Sequence, residues 1–135
     1  MRRLNWFATL VVLTHAVVVL WHLELLAKLG TALKVDQVPL LAGLANIIPL
    51  IAVILLWARF PKLGGWLLLF LAVPLLIGGY SHFLSAGSDN VFRMAPGELT
   101  AGFRVSAALL WMLELWGCWL GIEILRRSSL STASA

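Results

Sequence analysis

Polar side chains are so sparse along this chain that four stretches, 4–27, 38–58, 63–86 and 102–125, run almost uninterrupted in apolar residues. At about 1.5 Å of helix rise per residue, each is long enough to cross a hydrocarbon layer of about 30 Å. Period-2 alternation is absent, which argues against a membrane barrel, and a backbone in lipid must satisfy its own hydrogen bonds. The stretches are therefore expected to be helices. The connections 28–37, 59–62 and 87–101 are short. Such a chain predicts an all-α integral membrane protein, an up-down-up-down four-transmembrane-helix bundle. One domain is expected over 1–127, followed by a small, polar tail, 128–135, that is expected to be disordered.

Composition agrees. Of 135 residues, 61% are hydrophobic and 12% charged, against about half and a quarter in soluble domains, so a water-soluble globule is excluded. The formal charge of +4 is spread over the ends of the apolar stretches, with no basic stripe among aromatics, and nucleic acid is not an expected partner. No small-x-small cleavage pattern follows the first stretch, which reads as a retained span rather than a signal peptide. Arg2, Arg3, Arg59, Lys62, Arg126 and Arg127 fall on one side; Lys28, Lys34, Arg93 and Arg104 fall on the other beside Asp36, Asp89 and Glu98. Both termini are thus expected to be cytoplasmic, as in the inner membrane of a bacterium, with Trp6, Trp57 and Trp66 at the same interface. Cys118 is alone and forms no internal disulfide.

The longest connection reads GSDNVFRMAPGELTA. Ser88 or Asp89 suits a helical cap, Pro96-Gly97 resets the chain, and Glu98 opens the last helix. Val91, Phe92 and Met94 are apolar enough to lie over the mouth of a bundle.

Ionisable groups inside a membrane are costly, so their depth is informative. His15, Asn46, Pro74 and Glu114 fall roughly 15–18 Å from the cytoplasmic end, and His22, Ser81, His82, Arg104 and Ser106 roughly 25–30 Å from it. His15 and His22, seven residues apart, share a helix face but stand roughly 10 Å apart along it, too far to bind one metal ion. Glu114 lies on the face of Ala107, Gly117 and Gly121, and Gly117-x-x-x-Gly121 is a close-approach pattern. A His15–Glu114 pair, joined by Asn46, is expected as interhelical glue or as a protonation site in transport. Glu24 with Lys28, and Glu123 with Arg127, have the spacing of ion pairs along one helix.

His22 and His82 fall at one level on different helices, with Gly78, Gly79 and Ala86 near His82. This is the arrangement of a bis-histidine b-type haem, with Arg104 or Arg93 meeting the propionates. The same pair could begin a zinc or copper site completed by Asp89 or Glu98, or each could simply hydrogen-bond a hydroxyl or carbonyl. No CxxCH or HExxH motif selects a cofactor.

Three functions follow as expectations. One is a non-catalytic accessory, assembly or structural subunit of a membrane complex, in contact with lipid and with other subunits or its own copies. Another is an electron-transfer subunit with haem b on His22 and His82. The third is a small proton-coupled transporter using Glu114 and His15. No activated nucleophile, carboxylate pair or phosphate loop points to an enzyme.

Overall fold

The computed structural model describes residues 1–29, 38–87 and 90–133, without side chains for 38–42 and 131–133. Every regular element among the described residues is helical. Helix α1 spans Arg2–Leu29 and α2 Val38–Trp57. A third rod is built from α3 (Pro61–Leu68), a 3₁₀ turn (Leu69–Leu71), α4 (Ala72–Gly79) and a π turn (Tyr80–Leu84). Helix α5 runs from Glu98 to Ala133. Arg2–Leu29, Pro61–Leu84 and Glu98–Leu130 are each long and apolar enough to cross a membrane. Helix α2 has 20 residues.

Burial along α1 recurs every three to four residues, at Leu4, Ala8, Val11, Val12, His15, Val18, Val19 and His22, while Leu10, Val17 and Leu20 on the opposite side are more than 60% exposed. That spacing is the signature of a helix packed along one seam. A matching seam on α5 carries Phe103, Ser106, Ala107, Glu114, Gly117, Leu120, Gly121 and Ile124. The two seams meet in opposite directions: His15 faces Glu114, and His22, two turns later, faces Ser106, two turns earlier on α5. The N-terminus of α1 and the C-terminal part of α5 therefore lie at one end.

Glycine allows the third rod to press closely on α5. A Cβ at Gly121 would stand 2.9 Å from the Gly65 carbonyl oxygen, and a Cβ at Gly117 would overlap Leu71 Cδ1. The close-approach pattern in the last helix is thus used within the chain. At the α2–α3 turn, Phe60 N–H donates to Leu55 O across Arg59, whose φ of 68° is left-handed. This is the helix-ending geometry usually given to glycine.

Two apolar clusters fill the ends. At the end bearing the termini, Leu4, Ala8, Val12, Leu56, Leu68 and Ile124 are among the buried residues; at the other, Leu25, Leu26, Phe103 and Ala107 enclose Val91 of the connection 90–97. Val91 and Met94 pack inward as expected from sequence, whereas Phe92 is 78% exposed. Trp6 and Trp57 meet edge to face at 5.1 Å, and Trp57 Nε1 donates to Thr9 Oγ1 at 3.0 Å, placing these aromatics at one level.

Helix α5 runs to Ala133, and residues 134–135 of the tail lie outside the described residues. No glycine or proline interrupts 128–133, and the Ser128 and Ser129 hydroxyls donate back to Leu125 O at 2.9 and 3.0 Å, tying themselves to the helix. Glu98 opens the last helix, as read from sequence, four residues before the apolar stretch itself. Lys34, Asp36, Ser88 and Asp89 lie outside the described residues.

Candidate functional site

Between the two clusters the buried seam turns polar. His15 is fully buried and Glu114 is 5% exposed, and Nε2 of the first stands 3.3 Å from Oε1 of the second. The pairing expected from depth is present, but Asn46 does not join it: Asn46 Oδ1 and His15 Nδ1 are both buried without a hydrogen-bond partner among the described residues. Depth fixed the level of Asn46 but not the direction in which α2 turns it.

Closer to the 90–97 connection, His22 and His82 meet. His22 Nδ1 lies 2.7 Å from Ser106 Oγ, and its Nε2 lies 3.3 Å from His82 Nε2. The Ser106 hydroxyl also lies 2.9 Å from Phe103 O, and with its proton directed there the serine oxygen accepts from His22 Nδ1–H. In that arrangement His22 Nε2 carries a lone pair on the side of His82. Phe103, fully buried, stacks on His22 at 4.7 Å and meets His82 edge-on at 5.2 Å.

Local backbone structure brings His82 here. In the π turn, Ser85 N–H reaches back five residues to Tyr80 O at 2.8 Å, and Ser85 Oγ donates to Ser81 O at 2.7 Å. The wider turn rotates the side chains that follow it, and such turns recur at functional sites. The connection then packs on the end of the rod: Val91 N–H donates to His82 O at 2.9 Å, and Asn90 Nδ2 to Ser85 O at 2.7 Å.

Arg104, expected to meet haem propionates, instead donates to Val91 O at 2.8 Å and Met94 O at 3.1 Å, holding the connection down. Arg93 donates to Ala86 O at 3.2 Å. Haem ligation would set iron and the macrocycle between the two imidazoles. The nitrogens in direct contact, with Phe103 against both rings, leave no slot for it. Gly79 likewise makes room for Trp111, whose Nε1 would stand 2.9 Å from a Cβ there. Among the described residues, no three His, Cys, Asp or Glu side chains gather as a metal cluster.

A cavity of about 350 Å³ opens beside these groups, and single-helix patterns gave no signal for it. His22, His82, Ser81 and Glu114 are among its lining residues; the wall is largely apolar, from α1, α2, the third rod and α5. It exists because α2 packs along α3 and the 3₁₀ turn but diverges from α4. Pro49 and Pro74 lie on the two diverging walls, and each removes the donor that would ordinarily serve the carbonyl four residues back, those of Ala45 and Phe70. Sequence reading also missed Asn5, whose Nδ2 donates to Leu56 O at 3.0 Å, joining α1 to α2.

Glu24 pairs with Lys28 at 2.6 Å, and Glu123 with both Arg126 at 2.9 Å and Arg127 at 2.6 Å. These exposed pairs stand apart from the cavity. No protein-family model, no curated protein and no solved structure matches the chain.

Proposed function

We propose that the chain crosses the membrane four times as an up-down bundle with both termini cytoplasmic, in a setting such as the bacterial inner membrane. Its proposed role is non-catalytic: it holds a small, uncharged lipophile bearing a hydrogen-bonding oxygen in the cleft between α2 and α4. The cytoplasmic assignment rests on the six basic residues flanking the end where the termini meet. The ligand assignment rests on the cavity, whose volume lies at the lower end of the roughly 300–1,000 Å³ typical of small-molecule sites, with a few polar groups set in an apolar wall.

The other expectations have less support. An accessory role would offer the glycine face of the last helix to a partner subunit, but the third rod packs on Gly117 and Gly121. Transport through the bundle would need polar groups towards both ends. The termini-side half is packed by Leu4, Ala8, Val12, Leu56, Leu68 and Ile124, and its buried Asn5 is tied to Leu56 O. A site reached from the lipid through the diverging helices fits a binding protein better than a channel or carrier.

Gly78 offers a test, because a Cβ there would meet only His82 Cδ2, at 3.8 Å. Gly78→Leu should fill the cavity without disturbing helix contacts. Organic extraction and mass spectrometry of the purified wild type should yield a lipophile near one per chain, and the variant should lose most of it. Extracts of the two that match, and contain only bulk membrane lipid, would overturn the assignment.

A further inference from the structure

We propose that His22 and His82 together bind one first-row transition-metal dication, of the zinc or copper type, at the wall of the cavity nearest the 90–97 connection. Two nitrogens held at about 2.0–2.1 Å from a tetrahedral ion are about 3.3–3.4 Å apart, and the two Nε2 atoms stand 3.3 Å apart. The same separation suits an N–H···N hydrogen bond between the rings, so the ion would take the place of that shared proton. The ring centroids are farther apart than the nitrogens, at 5.0 Å with 67° between planes, so both rings turn their Nε2 edges towards common space.

The surroundings prepare the ligands. With the Ser106 proton on Phe103 O, the His22 proton sits on Nδ1 and the Nε2 lone pair is available, the same outer hydrogen bond that orients ligating histidines in metal sites. Phe103 braces both imidazoles from one side, and the cavity opens on another. Among the described residues no third His, Cys, Asp or Glu completes the set. The remaining positions of the ion therefore face the cavity, to be taken by water or by an oxygen of a cavity ligand. Imidazole nitrogen suits zinc and copper, with Cu²⁺ bound more tightly than Zn²⁺. The inference stands on the histidine geometry and does not require the lipophile.

The test uses the tag-free, full-length chain in detergent, stripped with EDTA. Co²⁺ is followed by its visible ligand-field absorption, and Zn²⁺ by competition with a chromophoric chelator. One ion per chain is expected. His82→Ala and His22→Ala should each weaken binding at least about tenfold, and Ser106→Ala about tenfold, as outer-shell substitutions do. Ser106→Thr, which keeps the hydroxyl, should restore it, and His15→Gln should bind like the wild type. His22 is buried, so the decisive variant is His82→Ala, made at a half-buried site and checked for wild-type tryptophan fluorescence. The proposal is overturned if the wild type takes up no ion at tenfold molar excess, or if His82→Ala binds undiminished. Lipophile extraction from the metal-free wild type reports separately on the cavity reading.

Discussion

Replacing Gly121 by alanine adds one methyl group where α5 meets the third rod. That methyl would lie 2.9 Å from the Gly65 carbonyl oxygen, 3.1 Å from Leu69 Cδ2 and 3.3 Å from Leu68 Cβ. A backbone oxygen cannot rotate aside, so the rods must separate by several tenths of an ångström. Overpacking of this kind costs about 1–3 kcal/mol. Alanine returns about 1 kcal/mol of helix propensity, for a net loss of up to about 2 kcal/mol. In lipid, dispersion contacts between helices, rather than the hydrophobic effect, hold a bundle together, so a lost close approach is felt directly. Gly102, on the same helix, is the control. A Cβ there would meet Leu25 methyls at an ordinary 3.4 Å, and Gly102→Ala should be neutral or stabilising by up to about 1 kcal/mol. The assay is reversible unfolding in mixed micelles against the mole fraction of SDS, read by tryptophan fluorescence, with light scattering to report the oligomeric state. Equal shifts for the two variants would refute the packing. A change from oligomer to an equally stable monomer on Gly121→Ile would refute it too, because it would place the glycine face between subunits.

Arg59→Gly should stabilise the fold by about 1 kcal/mol, because the left-handed backbone at φ 68° then carries no Cβ penalty; unchanged thermal stability would count against the turn geometry. Glu114→Leu should destabilise by about 1–3 kcal/mol, since it strips His15 of its partner while His15 Nδ1 already lacks one, and Glu114→Gln by less than about 2 kcal/mol. The same unfolding assay ranks the two, and a Glu114→Leu variant as stable as the wild type would remove the pair from the account. In a Cys118→Ser background, a membrane-impermeant thiol reagent added to intact cells should label Arg93→Cys but not Lys62→Cys; the reverse pattern would invert the proposed orientation.

Much of the architecture was legible because lipid admits few solutions. Apolar stretches had to become helices, and His15, His22, Ser106 and Glu114 had to turn towards other helices. The buried seams of α1 and α5 put them there. Depth along a helix did not reveal direction around it, and Asn46 Oδ1, read from depth with the pair, makes no hydrogen bond to it. The cavity was hidden for a related reason: it depends on the divergence of two helices, to which Pro49 and Pro74 contribute only backbone gaps. Nor did the run YSHFL announce a π turn, since its tie is a main-chain bond from Ser85 to Tyr80. The tail reads as disorder by composition, and composition does not register the backbone ties that the Ser128 and Ser129 hydroxyls make to Leu125 O.

The π turn makes the bearing of His82 a matter of counting. A five-residue return in place of four amounts to one surplus residue, and deleting a residue just ahead of the histidine would restore the ordinary pitch and swing the imidazole by about 100°. Every chemical group could be kept and the encounter with His22 still lost. In this protein a single-codon deletion between 77 and 81 would act as a point mutation of a side chain it never altered.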